Sequence, residues 1–213
     1  GYSAPPRGPA LAASFPRLDL TRQTIRADDD AFLGLIAKTL YDVAATTLRQ
    51  ADPNHLLLGE MYFQNDHPPA VLAAAARHVD ALVVQPSVNH AATQPADHFD
   101  RALFDDLYTT YGKPILIGDH AFAYATEAFP RTMWANFPTP AQAATAHGAF
   151  LRAAIDTPYV IGFGRCQLRD APQRDGSLKQ GLWTQDGTPH AEFAPHMSEI
   201  NRAILDEAYR RLR

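Results

Sequence analysis

Apolar residues follow two alternating patterns along the chain, one typical of amphipathic helices and the other of short buried strands. Between Asp28 and Gln50 they recur at three- and four-residue spacing, which predicts a helix. The same spacing predicts helices at about 68–78, 99–111, 140–156 and 191–212. Four continuously apolar runs lie between these helices and predict strands covered on both faces: HLLLGEMY, VDALVVQP, KPILIGDH and YVIGFGRC.

Local signals place the ends of the predicted helices. The acids at 28–30 favour a helix start, because carboxylates stabilise the amino end of a helix. Pro68 and Pro69 open the second helix, Gly112 ends the third, and Thr139 is a good N-cap for the fourth. Residues 1–27 are rich in Pro, Gly and Ala without a period, so we predict an irregular arm at 1–27 and the folded domain at 28–213.

The order helix, strand, repeated four times and closed by a helix, is typical of parallel α/β folds. Predicted strands begin near His55, Val79, Pro114 and Pro158, with spacings of 24, 35 and 44 residues. A (β/α)₈ barrel uses roughly 31 residues per unit, so four units amount to half a barrel. The competing architecture is an open, doubly wound sheet, but no Gly-rich phosphate loop follows any strand. We therefore predict half of a TIM barrel.

Composition narrows the classes of function. The net charge of -4 gives no basic field to hold a nucleic-acid backbone, so we expect no nucleic-acid partner. A single cysteine, Cys166, excludes an internal disulfide and a cysteine-based zinc site. We expect no membrane span, because no apolar run approaches ~20 residues, and no cofactor. The chain starts at Gly1 without a signal peptide, so we expect processing upstream or a longer parent chain.

Polar side chains gather where the predicted strands end, which is where parallel α/β folds place their active sites. These side chains are Glu60, Tyr62, Gln85, Asn89, Asp119, His120, Arg165, Gln167 and Asp170. Asp119 is the strongest functional candidate, because it directly follows the apolar run PILIG. Glu60 is the second candidate acid, with pairing to Arg165 as its purely structural alternative. A metal site built from Glu60, Asp119 and His120 is a further alternative, although no metal-binding motif appears.

The fourth strand and two loop tryptophans add further predictions. Arg165 and Gln167 alternate with Cys166, so we expect the two polar side chains on one strand face and the thiol in the strand–helix layer. Trp134 and Trp183 lie in long loops after the third and fourth strands. Each indole either caps the core or stacks against a sugar face.

Four segments together resemble the second half of agarase-like glycoside hydrolases, which belong to the (β/α)₈ retaining glycosidases. They are YDVAATTLRQADPNHLLLGEMY, VDALVVQPSVN, KPILIGDHAF and TPYVIGFGRCQLRD with its continuation LKQGLWTQDGTPH. The resemblance implies that the chain holds strands five to eight. It also implies a secreted or periplasmic location, which the sequence alone leaves unknown.

The resemblance implies a two-carboxylate mechanism, in which an acid after strand four protonates the leaving oxygen and a glutamate after strand seven attacks the sugar. Asp119 occupies the strand-seven position, one methylene shorter than Glu. The strand-four acid would lie upstream of Gly1, and Glu60 is the one candidate replacement within the chain.

We expect a glycoside hydrolase, or its C-terminal part, that acts on a polysaccharide or oligosaccharide. Asp119 and Glu60 are the predicted catalytic residues. The predicted substrate-binding residues are Tyr62, Gln85, Asn89, His120, Trp134, Arg165, Gln167 and Trp183. The alternative is a non-catalytic carbohydrate-binding module on a degenerate barrel. Four strands cannot close a barrel, so the missing half or another chain must cover the sheet edge.

Overall fold

The computed structural model describes residues 23–63, 67–86, 98–133, 135–211 and 213. Its five helices are α1 (Gln23–Ala51), α2 (Pro69–Ala75), α3 (Arg101–Tyr111), α4 (Pro140–Ile155) and α5 (Phe193–Arg211). Its main strands are β1 (Met61–Phe63), β2 (Leu82–Gln85), β3 (Ile115–His120) and β6 (Val160–Arg165). Two short pairs complete the elements: β4 (Phe122–Tyr124) with β5 (Ala135–Phe137), and β7 (Ala171–Pro172) with β8 (Leu178–Lys179).

The four main strands form one parallel sheet in the order β1-β2-β3-β6. The four strands therefore lie in the sheet in the same order as in the chain, and this order does not reverse at any point among them. A doubly wound sheet needs such a reversal at its ligand-binding crevice. The predicted parallel α/β class is confirmed, and the doubly wound alternative does not fit the observed strand order.

The two faces of the sheet differ in burial. Leu82, Val84, Ile115 and Ile117 are fully buried and join one core cluster with residues of all five helices. Side chains of the opposite face remain partly exposed, and Met61 keeps 46% of its surface accessible. Since successive residues of a strand point to opposite faces, the helical layer covers one face only.

Helix ends agree with the predicted local signals except at two places. Gly112 ends α3 at φ 64°, and the Thr139 hydroxyl accepts a hydrogen bond from the Gln142 N–H at 3.2 Å. The N-cap of α3 is Asp100, which the prediction of a start at Phe99 missed. The predicted helix start at Asp28 is wrong, because α1 already runs from Gln23.

The first predicted strand is shorter than its apolar run. The Leu57 N–H is bound by the Asp80 carboxylate at 2.6 Å, and Gly59 has a φ of 72°. These features interrupt extended geometry before Met61, so Glu60 lies at the amino end of β1, not at its carboxyl end. The pairs β4–β5 and β7–β8 were predicted as loops.

Helix α1 has two apolar surfaces, one buried in the core and one exposed. Ala37, Tyr41 and Ala45 are buried, whereas Phe32 and Val43 each keep 63% of their surface accessible. By length and composition alone, Ala27–Ala51 would pass as a membrane span, contrary to the prediction that no run is long enough. A core helix satisfies the same criterion, and α1 packs against α2.

Candidate active site

The carboxyl end of β3 carries a bulge at Asp119. Ile117 pairs with Phe163 and His120 with Arg165, so three steps on β3 oppose two on β6. Asp119 adopts a φ of 52°, a left-handed conformation that costs a non-glycine residue about 1 kcal/mol or more. Bulges of this kind redirect a side chain at the rim of a sheet. The carboxylate of Asp119 therefore leaves the ordinary alternation of the strand.

Two side chains meet Asp119 at this rim. These are Cys166 and Lys179, and both interact with Asp119 electrostatically. Burial and then the neighbouring Asp119 raise the pKa of the Cys166 thiol to about 11, against an opposing effect of Lys179. The thiol is therefore protonated at neutral pH.

The two faces of β6 differ from the prediction at its carboxyl end. The Arg165 guanidinium is buried, where it donates to the carbonyls of Phe122 and Gln180 at 3.2 Å each. Burial lowers its pKa to about 10. Arg165 thus packs toward Phe193 of α5 and Cys166 lies on the side of Asp119, the reverse of the predicted faces. Its predicted part in substrate binding stays a prediction.

Gln167 braces the loop that carries Lys179. It adopts a φ of 47°, and its side-chain amide donates to the carbonyls of Arg169 at 2.6 Å and Lys179 at 2.7 Å. Both N–H groups of the Gln167 side-chain amide therefore donate to backbone carbonyls of the protein. Gln167 therefore fixes the position of β8 beside the end of β6.

A second cluster holds the following loop, and sequence reasoning missed it. The Tyr124 hydroxyl lies 3.0 Å from His190 Nδ1, and His190 Nε2 lies 3.0 Å from Asp170 Oδ2. The other Asp170 oxygen accepts the Gly181 N–H at 2.7 Å. This Tyr–His–Asp chain ties β4, the loop after β6 and the start of α5 together. These residues are separated by 20 and 66 positions, so no sequence spacing signalled the contact.

Glu60 and Tyr62 do not join Asp119. The Tyr41 hydroxyl of α1 donates to Glu60 at 2.9 Å and contacts the Tyr62 hydroxyl, which places both side chains on the helical side. The strand register puts Glu60 at the level of Ile115, four residues before Asp119. At about 3.3 Å per residue, this separates the two acids by roughly 13 Å along the strand direction. The predicted pairing of Glu60 with Asp119 therefore does not fit the geometry, and neither does sugar binding by Tyr62.

His120 lies on the face of the sheet that the helices cover. It is fully buried, with its ring 4.6 Å from that of Phe150 and 5.0 Å from that of Phe122. Burial, assisted by the charges of His147 and Arg165, lowers the pKa of His120 to about 3. Neither sugar binding nor a metal site shared with Glu60 and Asp119 fits this position.

The two buried histidines predict a loss of stability in mild acid. Burial lowers the pKa of His147 to about 4 despite its hydrogen bond to Asn201, so His120 and His147 are both neutral in the folded protein. Below pH 6.5 both histidines take up protons in the unfolded chain. In the folded chain they stay neutral until the pH falls to their folded-state pKa values of about 3 and about 4. We expect the free energy of unfolding to fall by about 1.4 kcal/mol per pH unit for each histidine in this window.

Urea unfolding at pH 7.5, 6.0 and 5.0 measures this slope. His147→Gln is expected to remove about half of it, whereas His55→Gln, at a histidine whose side chain is 85% exposed, leaves it unchanged. Equal slopes in all three proteins would contradict the assignment.

Two of the four remaining predicted residues lie in the described part of the chain and two do not. Gln85 is buried at the carboxyl end of β2, on the same strand face as Val83, and Trp183 is partly buried with its backbone bridged to Arg169 and Pro189. Asn89 and Trp134 lie outside the described residues.

The rim thus places the Asp119 carboxylate within electrostatic reach of the neutral Cys166 thiol and the Lys179 ammonium group. A carboxylate in such a position can attack an electrophilic carbon or accept a proton. Within the described residues, no group of three His, Cys, Asp or Glu side chains is arranged to hold a metal ion.

Comparison with known proteins finds the fold in glycoside hydrolases. An agarase, AgWH50C, matches 90% of this chain at a TM-score of 0.72 and 19% identity, and an exo-β-agarase matches 92% at 0.70 and 22%. A β-galacturonidase from Eisenbergiella tayi matches 78% at 0.52 and 15%. The chain spans only 27%, 26% and 30% of these three chains, respectively.

No protein-family model and no curated protein sequence matches the chain. At identities of 15–22% the structural likeness is one of fold. The chain therefore has the fold of part of an agarase-like glycoside hydrolase, which confirms at that level the resemblance seen in its sequence.

Proposed function

We propose that the chain is the C-terminal half of a (β/α)₈ glycoside hydrolase that cleaves a polysaccharide or oligosaccharide. The observation that carries this proposal is Asp119, whose carboxylate is turned by a bulge at the rim of a parallel sheet shared with agarases. Active sites of such folds lie at the carboxyl ends of their strands.

Asp119 acts in this proposal as the nucleophile or the base of a two-carboxylate mechanism. Because Glu60 is remote, the proton donor for the leaving oxygen comes from the half of the barrel that the chain lacks. The shorter aspartate sets its carboxylate back by roughly one carbon–carbon bond. Separations of about 5–5.5 Å are typical of retaining enzymes and about 6.5–9.5 Å of inverting ones, so the shorter side chain favours inversion.

Agar and its oligosaccharides are the first substrates to test, since two structural neighbours are agarases. The test uses a completed enzyme, by which we mean a polypeptide that contains this chain together with the segment that covers both sheet edges. Release of reducing sugar is expected, and the anomer formed, read by NMR, assigns inversion or retention.

The alternative is a carbohydrate-binding module without turnover, favoured by the lack of a second carboxylate beside Asp119 among the described residues. Calorimetry alongside the reducing-sugar assay separates the two. Heat of binding without sugar release supports the binding module and contradicts the hydrolase.

Both edges of the sheet are open to a partner. Among the described strands, β1 pairs with β2 alone and β6 with β3 alone. An apolar groove of about 560 Å³ runs along β6, and its lining includes Leu151, Ile161 and Leu205. At the other edge, α1 exposes an apolar stripe that includes Phe32, Ile36, Leu40 and Val43. We propose that the missing half of a barrel covers both.

A charge placed on the α1 stripe tests this proposal. Ile36 keeps 48% of its surface accessible in the present chain. In the completed enzyme, Ile36→Asp is expected to lower the free energy of unfolding by about 2–4 kcal/mol, because it buries an unpaired carboxylate. In the isolated chain the loss is expected to stay within about 0.5 kcal/mol.

Urea unfolding measures both values. Thr46→Asp, at an exposed polar residue of the same helix, is the matched control and is expected to have little effect in either protein. A small effect of Ile36→Asp in the completed enzyme would show that the stripe stays open to water.

A further inference from the structure

Helix α3 carries a stack of three side chains that the candidate active site does not use. The rings of Tyr108 and Tyr159 are parallel within 9°, and their centroids lie 4.3 Å apart. The Arg101 guanidinium lies 5.7 Å from the centroid of the Tyr159 ring. Arg101 and Tyr108 are two turns apart on α3, about 10.5 Å at 1.5 Å per residue, which the two distances together nearly fill. The Tyr159 ring is therefore held between Arg101 and Tyr108.

Hydrogen bonds fix the middle ring of this stack at both ends. The Tyr159 hydroxyl donates to Asp105 Oδ1, and Arg101 Nε donates to the same oxygen at 2.8 Å. The Tyr159 carbonyl accepts the Ile115 N–H at 2.8 Å, where β3 begins. Because the Tyr159 ring is anchored in this way, the Tyr108 ring that lies on it loses little conformational freedom when a ligand binds.

The outer face of the Tyr108 ring is open to water. Tyr159 covers one face of the ring, yet Tyr108 keeps 40% of its surface accessible. Gly112 follows one turn later, and a Cβ placed there would have no atom of the described residues within 4 Å. Thr109 and Thr110 are exposed beside it. The accessible ring therefore borders open space, next to threonine hydroxyls and to the carbonyls of the last helical turn, which lack partners within the helix.

We propose that Tyr108 is the stacking platform of a second carbohydrate-binding site, which holds a neutral sugar unit of the polysaccharide away from the bond that is cleaved. This inference rests on the proposed function for the identity of its ligand. A rigid aromatic face packs against the C–H groups of a sugar ring, and the neighbouring hydroxyls and carbonyls suit the sugar's O–H groups. The charges of Arg101 and Asp105 offset each other, so the platform fits a neutral unit better than a charged one.

The platform lies at the opposite end of the sheet from Asp119. Tyr159 directly precedes β6, and its carbonyl is level with Ile115 at the start of β3. Asp119 lies four residues further along β3, roughly 13 Å away along the strand at about 3.3 Å per residue. One sugar unit cannot contact both places. The platform therefore holds a distant part of a long chain and keeps the polysaccharide near the enzyme, which raises its effective concentration.

The first experiment measures binding of agar polysaccharide to the 213-residue chain by native affinity electrophoresis. The chain is expected to be retarded by the polysaccharide, and Tyr108→Ala is expected to weaken its affinity about 3-fold to 10-fold, since it removes one aromatic contact. Tyr209→Ala, at a tyrosine of α5 that is 63% exposed, is the matched control and should leave the affinity unchanged. Equal retardation of Tyr108→Ala and the native chain would overturn the proposal, and so would a native chain that is not retarded.

The second experiment tests whether the stack positions Tyr108. Tyr159→Leu removes the ring on which Tyr108 lies and is expected to weaken the affinity about 3-fold, because Tyr108 then gains freedom that binding must remove. Tyr159→Phe keeps the stack and loses only the hydrogen bond to Asp105, so it should bind almost as the native chain does. Urea unfolding verifies that both variants are folded. Native affinity in a folded Tyr159→Leu variant would contradict the part assigned to the stack.

The platform and the proposed function fail separately. In the completed enzyme, the ratio of KM for agar polysaccharide to KM for a short agar oligosaccharide is expected to rise about 3-fold to 10-fold in Tyr108→Ala and to stay constant in Tyr209→Ala. If the completed enzyme shows no turnover, the proposed function fails, while the electrophoresis still decides whether Tyr108 binds the polysaccharide. If turnover is present and the ratio is the same in both variants, the hydrolase stands and the platform is wrong.

Discussion

Asp119→Asn is expected to lower kcat/KM of the completed enzyme by more than about 10³-fold. The amide keeps the size of the side chain but lacks the negative charge. Loss of a nucleophile or base removes an interaction made in the transition state, so the fall should appear mainly in kcat. Release of reducing sugar from agar oligosaccharides measures it.

Two further variants sharpen this test. Asp119→Glu keeps the charge but advances the carboxylate by one methylene within a rim built around aspartate. We expect about a 10²-fold loss, smaller than that of the asparagine variant. Glu127→Gln removes an exposed carboxylate from the loop after β4 and should leave the rate unchanged. Native turnover in Asp119→Asn would refute the assignment of Asp119 and leave the rim without a catalytic residue.

The largest loss of stability is expected from Phe150→Ala. Phe150 is 2% exposed and lies at the centre of an aromatic cluster in α4. Its ring centroid is 4.6 Å from that of His120, 5.5 Å from those of Phe99 and Phe122, and 5.8 Å from that of Phe163. Removing a buried ring leaves a cavity and costs about 3–5 kcal/mol, a large part of a typical domain's stability of about 5–15 kcal/mol.

Urea unfolding at pH 7.5 measures this loss, with both core histidines neutral. Tyr209→Ala removes a ring of similar size from α5, where 63% of the residue is exposed, and should cost no more than about 0.5 kcal/mol. Because Phe150 contacts the ring of His120, Phe150→Ala should also bring the His120 pKa closer to its usual value. Equal losses in the two variants would contradict the central place of Phe150 in the core.

Much of the fold could be predicted because its signals are local. Apolar spacing located the five helices of the described residues, and cap residues such as Gly112 and Thr139 act within one turn of the chain. Continuous apolar runs located the four sheet strands. The first strand was predicted too long, because Leu57 is bound by Asp80, a contact across 23 residues that no local pattern contains.

The positions of the candidate site residues were predicted in outline, and the structure places several of them away from Asp119. Asp119 was found because an acid directly after an apolar strand is a local signal. Glu60 was misplaced by the same shortened strand, which moved it to the amino end of β1 and onto the side of Tyr41. Arg165 and Cys166 exchanged roles, since alternation fixes which side chains share a face but not which face points to the rim.

Local sequence signals predict the helices, the parallel sheet class and the acid at the end of the third strand, because each depends on residues within a few positions of one another. Which side chains lie near that acid follows from the packing of distant segments. The bulge at Asp119 and the position of Cys166 across from it arise from pairing between β3 and β6, about 45 residues apart. Such pairing depends on how whole elements pack, and that information is not carried by any one stretch of the chain.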